Sequence, residues 1–132
     1  GAAQALASEL GMPIGLYGDY AVGVNPAGSE TWADQRVYRM DAAVGAPPDA
    51  LALKGQDWGI PPQDPNVLVA EQYRPFRNLI AANMRHFGAL RLDHVMGLTR
   101  LFWVPDGARG AEGAYVAAPL DLLLASPLGY LA

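Results

Sequence analysis

The sequence predicts an α/β fold built on a parallel sheet. Two stretches carry that expectation. In each, a helical pattern stops at a glycine, a short apolar strand follows, and the strand ends in charge. The first runs through residues 2–10, Gly11, 13–17 and Gly18-Asp19; the second through 71–87, Gly88 and 89–96. Helix, glycine, apolar strand and acid is the grammar of parallel-sheet proteins.

The elements follow in order. Residues 2–10 are alanine-rich with Leu6 and Leu10 at i, i+4, and Gly11 stands where a C′ glycine stops a helix. Pro13-Ile14-Gly15-Leu16-Tyr17 reads as a short strand. Residues 25–69 are rich in Gly, Pro and Asp and read as one long irregular stretch, with a short helix over 29–37 capped by Ser29. Loops this long in compact domains are usually functional. This one carries Trp32, Tyr38 and Trp58, too much aromatic surface for a spacer. The helical period returns over 71–87, where Tyr73, Phe76, Leu79, Ile80, Met84 and Phe87 share a face and Pro75 fits the first turn. A second strand over 89–96 follows Gly88. A third apolar run, 101–105, leads into a glycine-rich loop over 106–113, then Tyr115-Val116 and a helix over 119–124.

Composition narrows the function. The 132 residues amount to about one domain. They are 52% hydrophobic and 17% charged, too apolar for a disordered chain. There is no cysteine, which excludes disulfides and thiolate metal sites. Nine basic against thirteen acidic residues, net charge −4, argue against a nucleic-acid partner. No basic leader opens the sequence and its most apolar stretch, 122–132, is too short for a membrane helix, so a cytoplasmic protein, or a piece of one, is expected with no membrane partner. His86 and His94 are the only histidines, and HExxH, GxGxxG, GxxxxGK[ST] and GxSxG are all absent. Zinc, nucleotide-cradle and serine-hydrolase chemistry are therefore unsupported.

The segment Arg91-Leu92-Asp93-His94 is the most informative. On a strand, Arg91 and Asp93 share one face and Leu90 and Leu92 the other. An adjacent arginine favours the ionised carboxylate and fixes its orientation. An ionised carboxylate is what attack on a sugar anomeric carbon needs. On spacing alone, a structural ion pair at a strand end is the favoured reading, and a lone His94 is more often structural than catalytic. Trp58, set in Gly55-Gln56-Asp57-Trp58-Gly59, can offer a flat face to a sugar ring or tuck into the core. Gln56 and Asp57 can bond sugar hydroxyls or cap turns. Asp19 is a candidate hydroxyl-binding acid or a local cap.

Six segments occur in order: Ile14-Gly15-Leu16-Tyr17-Gly18-Asp19-Tyr20-Ala21-Val22-Gly23-Val24, Val44-Gly45-Ala46-Pro47-Pro48-Asp49, Gly55-Gln56-Asp57-Trp58-Gly59-Ile60-Pro61-Pro62, Ala89-Leu90-Arg91-Leu92-Asp93-His94-Val95-Met96, Trp103-Val104-Pro105 and Gly113-Ala114-Tyr115-Val116. The set resembles the 4-α-glucanotransferases called amylomaltases or disproportionating enzymes (glycoside hydrolase family 77), in their bacterial branch. The likeness spans about residues 11–124.

The resemblance implies a (β/α)8 TIM barrel, of which this chain would supply about two strands, flanking helices and the substrate-side loop region 25–69. It implies transfer of α-1,4-glucan segments between maltodextrins, or to glucose, by a retaining double displacement. By the same likeness Asp93 matches the nucleophile and Arg91 the arginine that orients it. His94 matches a donor-sugar contact, Trp58 an acceptor-side tryptophan, and Asp19 a strand-end aspartate of the barrel mouth. No metal or organic cofactor is implied.

Two departures qualify the implied activity. The acid/base glutamate of this family sits on the next barrel strand, and Glu112, the only glutamate after Asp93, lies in the glycine-rich loop before it. A full barrel needs about 200 residues or more. The chain is therefore expected to be a piece of a larger catalytic domain, inactive alone and prone to self-association through open edges. The alternative is a non-catalytic glucan-binding or structural module.

Overall fold

The computed structural model of the chain describes residues 1–119. Helix α1 spans Ala2–Glu9, and Gly11 takes the left-handed conformation (φ +76°) that ends such helices. Strand β1 spans Tyr17–Tyr20, not 13–17. The physical reason is Gln4. Its side-chain amide accepts from Leu16 N at 2.6 Å and donates to Ile14 O at 3.1 Å, so these two backbone groups bond to α1 instead of to a strand. Gly15, at φ +74°, makes the bend. Asp19 consequently lies inside the strand, not beyond its end.

The stretch 25–69 is not one irregular loop. It holds helix α2 (Ser29–Ala33), strands β2 (Ala42–Ala46) and β3 (Gln56–Ile60), and helix α3 (Pro65–Ala70). Helix α2 is capped by Gly28, since the Ser29 hydroxyl donates to Glu30 instead. The helical pattern over 71–87 resolves into α4, Arg74–Met84, separated from α3 by Gln72 and Tyr73 at positive φ. A continuous helix would press the Pro75 ring on the Glu71 carbonyl and leave that carbonyl without a donor. Then come β4 (Ala89–Leu92), a 3-10 turn (Val95–Leu98), β5 (Arg100–Pro105), a second 3-10 turn (Gly110–Glu112) and β6 (Ala114–Ala117). The helix expected over 119–124 lies outside the described residues.

Two sheets result. β1 and β4 form a two-stranded parallel sheet, as the helix–glycine–strand grammar predicts. The others form a four-stranded antiparallel sheet in the order β3-β2-β5-β6. The described residues close no barrel. The β2–β3 ladder is irregular: Val44 faces Ile60, whereas Gly45 faces Asp57, so Trp58 and Gly59 are surplus on β3. Glycine is required at 45, because a Cβ there would lie 2.0 Å from the Gln56 carbonyl oxygen.

The main core gathers Val37, Tyr38, Leu68, Tyr73 and Phe76, with Tyr20 and Leu98 packed on it. Tyr20 and Phe76 meet edge to face at 5.5 Å. Val44, Phe102 and Val104 are buried in the antiparallel sheet. Asp64 anchors α3: its Oδ1 accepts from Asn66 N at 2.8 Å, and its Oδ2 accepts from Arg39 at 3.3 Å. Among the described residues no helix is long and apolar enough to cross a membrane.

Candidate active site

The parallel register places Asp19 on β1 beside Arg91 on β4. Side chains at paired positions project from the same face of a sheet. Arg91 Nη1 therefore reaches both oxygens of Asp19, at 3.1 and 2.8 Å. Its Nη2 donates to Asp93 Oδ1 at 2.8 Å. The ladder continues one residue past β4, where Asp93 N donates to Tyr20 O at 3.1 Å, and this keeps Asp93 on the Arg91 face. Leu90 and Leu92 turn the other way and are half-buried, matching the strand expectation.

All three ionic side chains are open to solvent, with Asp93 at 46% side-chain exposure. Among the described residues Asp93 Oδ2 has no hydrogen-bond partner. One carboxylate oxygen is thus fixed by a guanidinium and the other is free to meet an electrophile. Asp19 takes two of the guanidinium's hydrogen bonds and Asp93 one, so the arginine sets the position of both acids. The sequence pairs Arg91 with Asp93, as the structure does. The bond from the same guanidinium to Asp19 was missed, and the signal for it was the parallel grammar itself, which brings equivalent strand ends together.

The chain turns sharply after Asp93. His94 is left-handed (φ +48°, ψ +52°), a conformation that costs a side-chain-bearing residue on the order of 1 kcal/mol. Its carbonyl accepts from Gly97 N at 2.8 Å. The imidazole meets the Trp58 indole edge to face, with ring centroids 5.3 Å apart and planes at 87°. Trp58 reaches this place because the β3 irregularity re-aims it. Trp58 Nε1 donates to Gln56 Oε1 at 2.9 Å, and Asp57 Oδ1 accepts from Gly59 N at 2.8 Å. Asp57 therefore caps the turn with one oxygen.

Two groups thus meet at the adjacent residues Asp93 and His94: the Asp19–Arg91–Asp93 bridge and the Gln56–Trp58–His94 series. A cavity of about 300 Å³ adjoins Asp19, Asp93 and His94. Its walls are mainly apolar and include Tyr20, Leu68, Phe76 and Trp103. Burial pushes the Tyr20 phenol well above its usual range, so it stays neutral. Glu112 belongs to neither group. It accepts from the Arg109 guanidinium and backbone N, and the guanidinium holds its carboxyl below the usual carboxylate range. Among the described residues no three His, Cys, Asp or Glu side chains gather as a metal site requires.

A family model described as 4-alpha-glucanotransferase matches residues 1–126. A 4-alpha-glucanotransferase of Haemophilus influenzae is 48% identical over 124 residues, which is 94% of this chain and 18% of the relative. One from Mycobacterium bovis is 48% identical over 122 residues, 92% of this chain and 17% of the relative. The crystal structure of amylomaltase from Corynebacterium glutamicum superposes with a TM-score of 0.89 at 45% identity, covering 93% of this chain and 18% of that one. An amylomaltase from Streptococcus agalactiae, solved in complex with acarbose, shares the fold at TM-score 0.80 and 23% identity, over 87% of this chain and 25% of that one. The chain spans less than a fifth of the length of the H. influenzae and M. bovis relatives.

Proposed function

This chain belongs to the 4-alpha-glucanotransferase family, and from that premise we propose that it carries the nucleophile half of a retaining transfer of α-1,4-glucan segments between maltodextrins. The observation that carries the proposal is the asymmetry of Asp93, with Oδ1 held by Arg91 and Oδ2 free at an open mouth. Oδ2 attacks the anomeric carbon of the donor. The C–O bond to the leaving glucan breaks, and its oxygen takes a proton from a general acid. The 4-hydroxyl of an acceptor then attacks the glycosyl–Asp93 ester, gives its proton to the same group as base, and releases the carboxylate.

Arg91 holds the nucleophile in line through its bond to Oδ1. Asp19, fixed by the same guanidinium, is placed to accept hydrogen bonds from donor hydroxyls. His94 contacts the donor sugar and Trp58 stacks on the acceptor side. Asp57 Oδ2 and the Gln56 amide nitrogen remain for sugar hydroxyls. No cofactor enters these steps.

The general acid is a different matter. A group that must donate a proton near neutral pH needs a raised carboxyl pKa, and Glu112 is held low by Arg109. A polypeptide of these 132 residues alone is therefore proposed to bind but not turn over glucan. β1 and β4 are proposed as neighbouring strands of a (β/α)8 barrel, with 25–69 as the substrate-side excursion between them. Leu10, Met12, Ile14 and Tyr17 remain exposed around a two-stranded parallel sheet. Parallel sheets are normally covered on both faces, which supports further strands and helices as their partners, or self-association when those are lacking.

The test is glucose release from maltotriose. No turnover by this chain is expected. The stretch placed in a full-length relative in exchange for its own should transfer, and Asp93→Asn in that chain should not. Maltotriose bound by this chain and lost in Trp58→Ala, with no transfer in the full-length exchange, would favour the glucan-binding module instead.

A further inference from the structure

We propose that Gln56 is a positioning residue for His94, acting through the Trp58 indole. The inference rests on the glucan-site reading above and deepens it. Three observations meet. Trp58 and Gly59 are surplus in the β2–β3 ladder, so the ladder hydrogen bonds of β3 do not fix where the indole lies. The Gln56 side chain does: its Oε1 accepts from Trp58 Nε1 at 2.9 Å. Asp57 secures the backbone of the same turn through Gly59 N. The indole so held stands edge to face with the His94 imidazole.

His94 needs such a hold. It follows the nucleophile Asp93 directly, and its left-handed backbone sits between the end of β4 and the 3-10 turn. The edge-to-face contact with the Trp58 ring is the aromatic contact on its imidazole among the described residues. The order of dependence is Gln56 on Trp58, and Trp58 on His94. The antiparallel sheet thereby sets the side-chain geometry next to a nucleophile that belongs to the parallel one.

The chain suits a direct test, because His86 and His94 are its only histidines. The imidazole carbon-bound proton resonances of both are followed by NMR without sugar in the wild-type chain, Trp58→Leu, Gln56→Leu and Gln56→Glu. Trp58→Leu should move the His94 signals by tenths of a ppm as the indole ring current is lost. Gln56→Leu should move them part of the way in the same direction. Gln56→Glu, which keeps an acceptor, should restore them. His86 signals should stay in place throughout.

A wild-type measurement guards against variants that fail to fold. The Trp58 indole N–H should exchange with solvent roughly tenfold more slowly than that of Trp32, which is 81% exposed. His94 signals unmoved by Gln56→Leu in a folded chain, or equal exchange of the two indoles, would overturn the proposal. Maltotriose is then added to each chain. Weaker binding in Gln56→Leu with recovery in Gln56→Glu extends the role to the sugar site. Maltotriose without effect on any chain would overturn the glucan reading, and the sugar-free spectra still decide on Gln56.

Discussion

Asp19 and Arg91 are register partners across the parallel β1–β4 pair, and Arg91 Nη1 donates to both carboxylate oxygens of Asp19. The remaining arm of the guanidinium goes to Asp93. A single planar cation thus sets the spacing of two acids from two strands.

Lysine cannot reproduce that fork, because its ammonium is one point charge on a flexible stem. In a full-length family member carrying this stretch, Arg91→Lys should lower transfer from maltotriose by about 10²-fold or more, a loss of positioning. Urea denaturation should show little change, since exposed ion pairs contribute under about 1 kcal/mol. A large stability loss with intact turnover would reverse the assignment to a structural pair.

Asp93→Asn in the same full-length chain removes the nucleophilic oxygen and keeps the shape. Glucose release should fall by at least about 10³-fold with the denaturation midpoint unchanged. Glu112→Gln should leave the rate alone, because that carboxylate is engaged with Arg109 away from the mouth.

Asp64 gives this chain an acid-sensitive point. Burial alone would raise its carboxyl, but bonds from Asn66 N, Arg39 and Val67 N outweigh that and hold it below its ordinary 3.8. A depressed folded value means that the stability it contributes is present above about pH 4 and is lost as pH falls through the folded value. Asp64→Ala should cost about 1 kcal/mol near neutral pH, the usual loss of an N-cap. Asp64→Asn should retain most of the cap and flatten the pH dependence below about pH 4. Urea melts at stepped pH values read both effects.

Gly45→Ala should be harder to absorb than its size suggests. The added methyl would press on the Gln56 carbonyl, part of the backbone and not a side chain that can swing away. We expect about 1–3 kcal/mol of destabilisation. Maltotriose binding should weaken as well, because Gln56 and Trp58 lie on the displaced strand. Equal stability of the two chains by urea melts would refute this.

The legible parts of the sequence were those with a strong period or a local partner. α1, α4 and the β4 pairing face follow from leucine and aromatic spacing, and the parallel pair from two repeats of one grammar. β2 and β3 were not legible. Ala42–Ala46 and Gln56–Ile60 contain few β-branched residues, carry a glycine each, and lose alternation where Trp58 and Gly59 are inserted. β2 also pairs with β5, a neighbour far along the chain. β1 was displaced for a related reason, since the Gln4 amide occupies Ile14 and Leu16 in the backbone's stead. Arg91-Leu92-Asp93 was readable as one face of a strand. The Arg91 bond to Asp19 joins residues 72 positions apart, a distance no local pattern encodes.

That separation bears on how the molecule comes to be folded. β5 and β6 are joined by a short connection and can zip as soon as both exist, whereas β1 must wait for β4 while the intervening residues are ordered. Pairings of long sequence separation pay loop closure first and form late. The acids at the ends of β1 and β4 are therefore expected to gather late in folding. Substitutions in the β1–β4 contact should speed unfolding and leave the refolding rate nearly untouched in stopped-flow measurements.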